Sequence, residues 1–293
     1  SAGGDAVLAA ANDVNVKAAY STAESNAMEI EASVNVSKSG GGVEGSFAME
    51  SERSQTAKTG TISANNLTIV AGNNASFEGA DVSAEGDVNL AAGNNVEFTA
   101  ARNIEESSSF NVSAGIGSKS KGGGSDDEDD AGKFEASTKA DDAPKKSSKE
   151  VEGNLGFGIG NANSNEAVTG GISGGNINIA SGNNVSFEGT ELAANDSVNI
   201  DAAGDVAFNK AESTSNSFGI GIELGGGTES ETTTKNDGSS ETENKAKVEA
   251  GVEFGIGSSN EQGGSQITAG VGGINVRSGG NVLLEGTQIE TEG

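Results

Sequence analysis

The sequence predicts an all-β chain: a parallel β-helix of about six rungs, each of roughly 20 residues, carrying three long β-hairpin ribbons. Three observations predict it. Residues 172–209, ISGGNINIASGNNVSFEGTELAANDSVNIDAAGDVAFN, match residues 62–99, ISANNLTIVAGNNASFEGADVSAEGDVNLAAGNNVEFT, without a gap. A finer period of 21 runs inside each: Ile177, Ile179, Gly182, Val185 and Phe187 recur as Val198, Ile200, Ala203, Val206 and Phe208. The earlier unit does the same, with Leu67, Ile69, Gly72, Ala75 and Phe77 recurring as Val88, Leu90, Gly93, Val96 and Phe98. Finally, apolar and polar residues alternate within every short repeat, and Gly and Asn close each alternating run, which is the signal of brief strands joined by corners.

A circuit of about 20 residues at roughly 3.3 Å each closes a narrow solenoid, and stacking one circuit on the next sets like residues over like. The rungs fall near residues 4–22, 62–104, 172–212 and 270–291. The core ladder they imply is Leu67, Ile69, Phe77, Val88, Leu90, Val96, Phe98, Ile177, Ile179, Phe187, Val198, Ile200, Val206 and Phe208. Insertions over 23–60, 105–168 and 213–268 follow every second rung. Each alternates on either side of a turn. Met28, Ile30, Val34 and Val36 go out and Val43, Phe47 and Met49 return; the later two repeat the scheme around Phe110 and Phe157, and around Phe218 and Phe254.

Each insertion therefore reads as a two-stranded ribbon with one apolar face. An isolated ribbon is marginal in water. Two strands are about 9.6 Å wide, which equals the rise of two rungs, so the ribbons are expected to lie side by side as one antiparallel sheet with its apolar face packed against the helix. The tips at 119–149 and 225–245 are polar and charged, and their composition predicts disorder.

Composition narrows the function. The 293 residues include 46 Gly, no Cys, His or Trp, and only 4% aromatics, which suits a thin elongated core better than a thick one. A net charge of −27 repels phosphates and anionic lipid, so nucleic acid is not an expected partner. No run is long and apolar enough to span a bilayer, and no signal segment opens the chain. Both ends fall within repeats, so the chain reads as a piece of a longer polypeptide.

No residue set carries chemistry. The run Asp126, Asp127, Glu128, Asp129, Asp130 supplies hard oxygen ligands but lacks the spacing and the sharp Gly of a calcium loop, so neither a metal nor a cofactor is expected. The corner residues Asn73, Asn74, Asn94, Asn95, Asn183 and Asn184 suit left-handed corners and stacked amide hydrogen bonds. β-Helices host polysaccharide lyases and hydrolases, yet here there is no His, the only Arg are Arg53, Arg102 and Arg277, and no pair of carboxylates is placed by the repeat. No catalytic residue is expected. If the ribbon sheet binds a partner, Phe110, Phe157, Phe218 and Phe254 are the apolar residues to test by accessibility.

The phrases GNNASFEGADV at 72–82 and GNNVSFEGTEL at 182–192, with the variant GGNVLLEGTQI at 279–289, resemble the haemagglutinin repeats of filamentous haemagglutinin-like exoproteins, a group that includes the contact-dependent growth inhibition proteins of Gram-negative bacteria. The resemblance implies a right-handed β-helix in a long secreted stick. Such chains are exported through a two-partner outer-membrane transporter and displayed on the cell surface. It further implies a stalk or adhesin segment that contacts a target cell, in some members delivering a toxin, with a surface protein or glycan as partner. No catalytic residue is carried over.

Overall fold

The computed structural model of the chain describes residues 3–121 and 145–292, and its ordered elements are all strands. Each circuit lays down three short strands, one on each of three faces. The first face comprises β1 (Ala6–Ala10), β6 (Leu67–Ala71), β9 (Val88–Ala92), the second halves of β13 (Gly171–Ser181) and β15 (Glu191–Ala202), and β20 (Gly273–Ser278). The second comprises β2 (Val14–Val16), β7 (Ala75–Glu78), β10 (Val96–Thr99), β14 (Val185–Glu188), β16 (Val206–Asn209) and β21 (Val282–Leu284). The third comprises β5 (Thr61–Ala64), β8 (Asp81–Ala84), the first halves of β13 and β15, β19 (Gln266–Ala269) and β22 (Gln288–Thr291). Every neighbouring pair is parallel. β13 and β15 each run through a corner from the third face to the first, which joins those two faces into one sheet. The fold is a parallel β-helix of six rungs.

Register explains the core. Phe77 lies opposite Phe98, Phe98 opposite Phe187, and Phe187 opposite Phe208. The rings stack with centroids 4.4, 5.6 and 4.8 Å apart and planes within 24° of parallel. Rings elsewhere often prefer an edge-to-face approach; here the strand spacing of about 4.8 Å forces the offset stack. All fourteen ladder residues are buried, with Leu67, Ile69, Phe77, Val88, Val96, Ile177, Phe187, Val198, Val206 and Phe208 fully so.

A ladder of side-chain oxygens holds the corner between the first and second faces through all six rungs. Asp13 Oδ1 accepts from the Asn74 backbone N–H at 3.0 Å, Asn74 Oδ1 from that of Asn95 at 3.2 Å, and Asn95 Oδ1 from that of Asn184 at 3.2 Å. Asn184 Oδ1 and Asp205 Oδ1 continue it to the N–H groups of Asp205 and Asn281 at 2.8 and 2.6 Å. Corner amides that a strand ladder leaves unpaired are satisfied in this way.

The corner between the second and third faces alternates. In the second, fourth and sixth rungs it is a tight Glu-Gly turn, with Gly79, Gly189 and Gly286 at φ 54°, 58° and 59°. In the first, third and fifth rungs a ribbon leaves there. The three ribbons are β3 (Ala19–Ser37) with β4 (Gly40–Lys58), β11 (Ala101–Lys121) with β12 (Lys145–Val168), and β17 (Ala211–Thr234) with β18 (Ser240–Gly263). The ribbons thus interrupt a rung before its third strand rather than following a completed one. The period of 21 marks the repeat without marking where a circuit closes, and short strands such as β5 come only after the ribbon returns.

The six ribbon strands form one antiparallel sheet in the order β18-β17-β12-β11-β4-β3. Two expectations are corrected. Residues 225–245 are not a structureless tip: β17 and β18 stay paired out to Thr234 opposite Ser240, and β17 is also paired with β12 as far as Lys145. Neighbouring strands supply hydrogen-bond partners that composition alone does not show, helped by contacts such as Thr232 to Thr242 at 3.0 Å and Lys146 to Glu231 at 3.0 Å. Of the other tip, Lys119–Lys121 and Lys145–Lys149 lie in paired strands and residues 122–144 fall outside the described residues. The second correction concerns the apolar face, which does not pack on the helix.

Candidate interaction surface

The ribbon sheet is amphipathic because side chains alternate between its faces and all six strands share one register. On one face Ile30, Phe47, Val112, Phe157, Ile222 and Val252 stand opposite one another across the whole sheet. The adjacent row is Met28, Met49, Phe110, Ile159, Ile220 and Phe254. Rows centred on Ala114 with Leu155 and Leu224, and on Ile116 with Val43 and Val34, extend it. Aromatic and branched residues directly opposite one another are the pairs that stabilise a sheet. Two edge-to-face contacts bind the centre, Phe47 to Phe110 at 6.1 Å and Phe110 to Phe157 at 5.6 Å, and Phe218 meets Phe254 at 5.6 Å.

This face is open to solvent. Ile30 is 71% exposed, Val252 73% and Phe254 62%, and Phe218 is exposed as well. Phe110 and Phe157 are half-buried, covered by their own neighbours in the sheet. Packing on the helix fails for a reason of distance. Met28 is nine residues beyond the ribbon base at Ala19, about 30 Å along a strand, which carries the apolar rows past the solenoid wall. The four rows span six strands, roughly 29 Å by 20 Å or about 600 Å², at the upper end of what a monomeric protein leaves uncovered.

Charge is sorted between the faces. The opposite face carries Glu29, Ala48, Asn111, Gly158, Gly221 and Glu253 in one row and Glu31, Ser46, Ser113, Gly156, Glu223 and Gly251 in the next. The apolar rows hold no ionisable residue, and they end toward the solenoid at a polar border where Arg53 pairs with Glu24 and Glu106 at 3.5 and 3.8 Å.

The ribbon bases are fixed to the helix. Ala101 and Ala211 are buried against the glycine corners, where a Cβ on Gly79 or Gly189 would come within 2.7 Å of their methyl groups. Tyr20, Arg102 and Glu212 occupy the same place in their three ribbons, four residues after Val16, Phe98 and Phe208. The Tyr20 hydroxyl donates to Glu78 Oε1, and Arg102 Nη2 donates to Glu188 Oε1 at 2.5 Å. Aligning the three ribbon bases on those core residues would have found these anchors in the sequence. The hydrogen bond to Glu78, with burial and that carboxylate's charge adding to it, raises the Tyr20 pKa above its ordinary 10.0.

Among the described residues no three acidic side chains gather as a metal cage, and the acidic run 126–130 lies outside them. No helix among them is long and apolar enough to cross a membrane. Neither the comparison with curated proteins nor that with solved structures gives a match. The family model of the hemagglutinin repeat matches residues 1–114, 52–219 and 161–293, which together span the chain, and it describes a structural repeat rather than an enzyme.

Proposed function

We propose, from the premise that the chain belongs to the hemagglutinin repeat family, that it is a structural and interaction segment of a secreted surface exoprotein mediating adhesion or contact with a target cell. The β-helix is the stalk and the ribbon sheet is its contact surface. The observation that carries the reading is the uncharged face centred on Phe157 and Ile222, which stands clear of the helix with Phe218 and Phe254 exposed. A chain serving only as a spacer gains nothing from such a face, whereas partner binding recovers the free energy of covering it.

Export through a two-partner outer-membrane transporter in a Gram-negative bacterium fits this reading. The absence of Cys and the stacking of short repeats suit passage as an unfolded chain and rung-by-rung folding outside the cell. A polysaccharide-active enzyme is disfavoured, because the chain has no His and the carboxylates of Glu24 and Glu106, which gather on the sheet, are exposed and ion-paired with Arg53 at 3.5 and 3.8 Å.

The test is adsorption of the purified chain to candidate target cells. Phe218→Ser with Phe254→Ser is expected to abolish retention while leaving the thermal unfolding of the β-helix in place, and Glu253→Gln on the opposite face is expected to leave retention intact. Retention unchanged in the double variant would assign the chain a purely structural role.

A further inference from the structure

From the contact-surface reading just given, we infer that the apolar face of the ribbon sheet takes the same face of a second copy of this chain, the two sheets packing as a sandwich about a two-fold axis. Three observations select that occupant.

The first is area. About 600 Å² on each partner, or about 1,200 Å² in all, reaches the range of specific interfaces, and a centre free of charge resembles that of homodimers. The second is the segregation of charge. Each copy carries a net −27, yet Glu29, Glu31, Glu223 and Glu253 point away from the face in question, so two copies meet hydrocarbon to hydrocarbon with their carboxylates outermost.

The third is position along the ribbon. In β17 the apolar residues run from Phe218 to Leu224, and the strand runs from Ala211 to Thr234, so the block sits at mid-length. Two sheets laid antiparallel with their blocks superposed bring the tip of each third ribbon to the base of the other. The two solenoids then lie at opposite ends of the pair, with the sheets at the roughly 10 Å spacing of packed sheets.

The alternatives fit less well. A bilayer would match an apolar band of this height, but a sheet immersed in lipid has no free edge, and β3 and β18 each have a strand partner on one side only. Residues 122–144 of the same chain offer a single large apolar side chain, Phe134, among many acids.

The experiment measures the mass of the 293-residue chain by sedimentation over a wide concentration range, alongside flotation with vesicles of zwitterionic and of anionic lipid. The native chain is expected to form a dimer. Val252→Lys with Phe254→Lys, at positions that are largely exposed in the single chain, is expected to weaken association by at least about 100-fold with the β-sheet circular dichroism unchanged. Glu253→Lys, on the other face, is expected to leave the dimer in place. A native chain that stays monomeric, a dimer indifferent to the paired lysines, or flotation with vesicles that Val252→Lys with Phe254→Lys abolishes would each overturn the pairing. Pairing covers Phe218 and Phe254, so cell retention is read below the dissociation constant of the dimer, where the face is free; retention that is insensitive there to Phe218→Ser with Phe254→Ser sinks the contact-surface reading separately.

Discussion

At the scale of single residues, aromatic side chains of the solenoid and of the ribbon sheet have opposite fates. Phe187 is wholly buried between Phe98 and Phe208, whereas Phe254 is 62% exposed on the ribbon sheet. Phe187→Ala is therefore expected to cost about 3–5 kcal/mol through lost burial and a cavity that stacked rungs cannot collapse, and Phe254→Ala well under about 1 kcal/mol. Denaturant titration of the two variants checks the contrast. Tyr20, the only tyrosine, reports on a ribbon base. Its raised pKa means that the protonated phenol is the favoured form in the fold, so its contribution is complete below pH 10 and is lost as pH rises through the folded-state value. Phenolate absorbance is expected to titrate above the free-tyrosine midpoint, and Glu78→Gln, which removes the carboxylate charge, is expected to move the midpoint back toward it.

At the scale of elements, one corner decides the architecture. The tight turn at Gly79, Gly189 or Gly286 needs a left-handed residue, and at Gly79 and Gly189 the ribbon of the adjoining rung packs where a side chain would otherwise stand. Gly189→Ala combines backbone strain with a Cβ 2.7 Å from the methyl groups of both Ala211 and Thr169. It is expected to cost about 2–3 kcal/mol, with the base of the third ribbon losing amide protection first in hydrogen exchange. The turn at Gly238 makes the control: its φ is 81° but a Cβ there meets open space, so Gly238→Ala is expected to cost only about 1 kcal/mol. The alternation of turn and ribbon was legible as a repeat with insertions, because Gly, Asn and β-branched residues carry local rules. The exit point within the rung was not, since closing a circuit depends on a strand that arrives 42 or more residues later, as β5 at Thr61 does after β3 begins at Ala19.

At the scale of the whole molecule, two sheets of opposite character share one chain. The solenoid buries its apolar residues by parallel stacking, while the ribbon sheet aligns its own in rows and leaves them open. Exchange should follow that division. Amides of Ile179, Val185, Phe187 and Val198, in the middle rungs, are expected to exchange most slowly, and those of the edge strands β3 and β18 most quickly, as measured by mass spectrometry on peptides. Uniform protection across both sheets would mean that the ribbon sheet is covered in solution, which the concentration dependence of exchange at Val252 would reveal directly.

The sequence by itself determined the β-helix, its ladder from Leu67 to Phe208, the three ribbons and their union in one sheet, because each rests on period, on turn chemistry or on the equality of two strand widths with two rung rises. The tertiary structure alone decided that the apolar face of that sheet stays open to solvent. Alternation fixes that Ile30, Phe157 and Val252 share a face, but whether that face meets the solenoid or water depends on how far past the solenoid wall the ribbons carry the apolar rows, about 30 Å beyond the base at Met28. The point from which they start is held by Ala101 and Ala211, buried at the Gly79 and Gly189 corners of the neighbouring rung, contacts across rungs that no local pattern encodes.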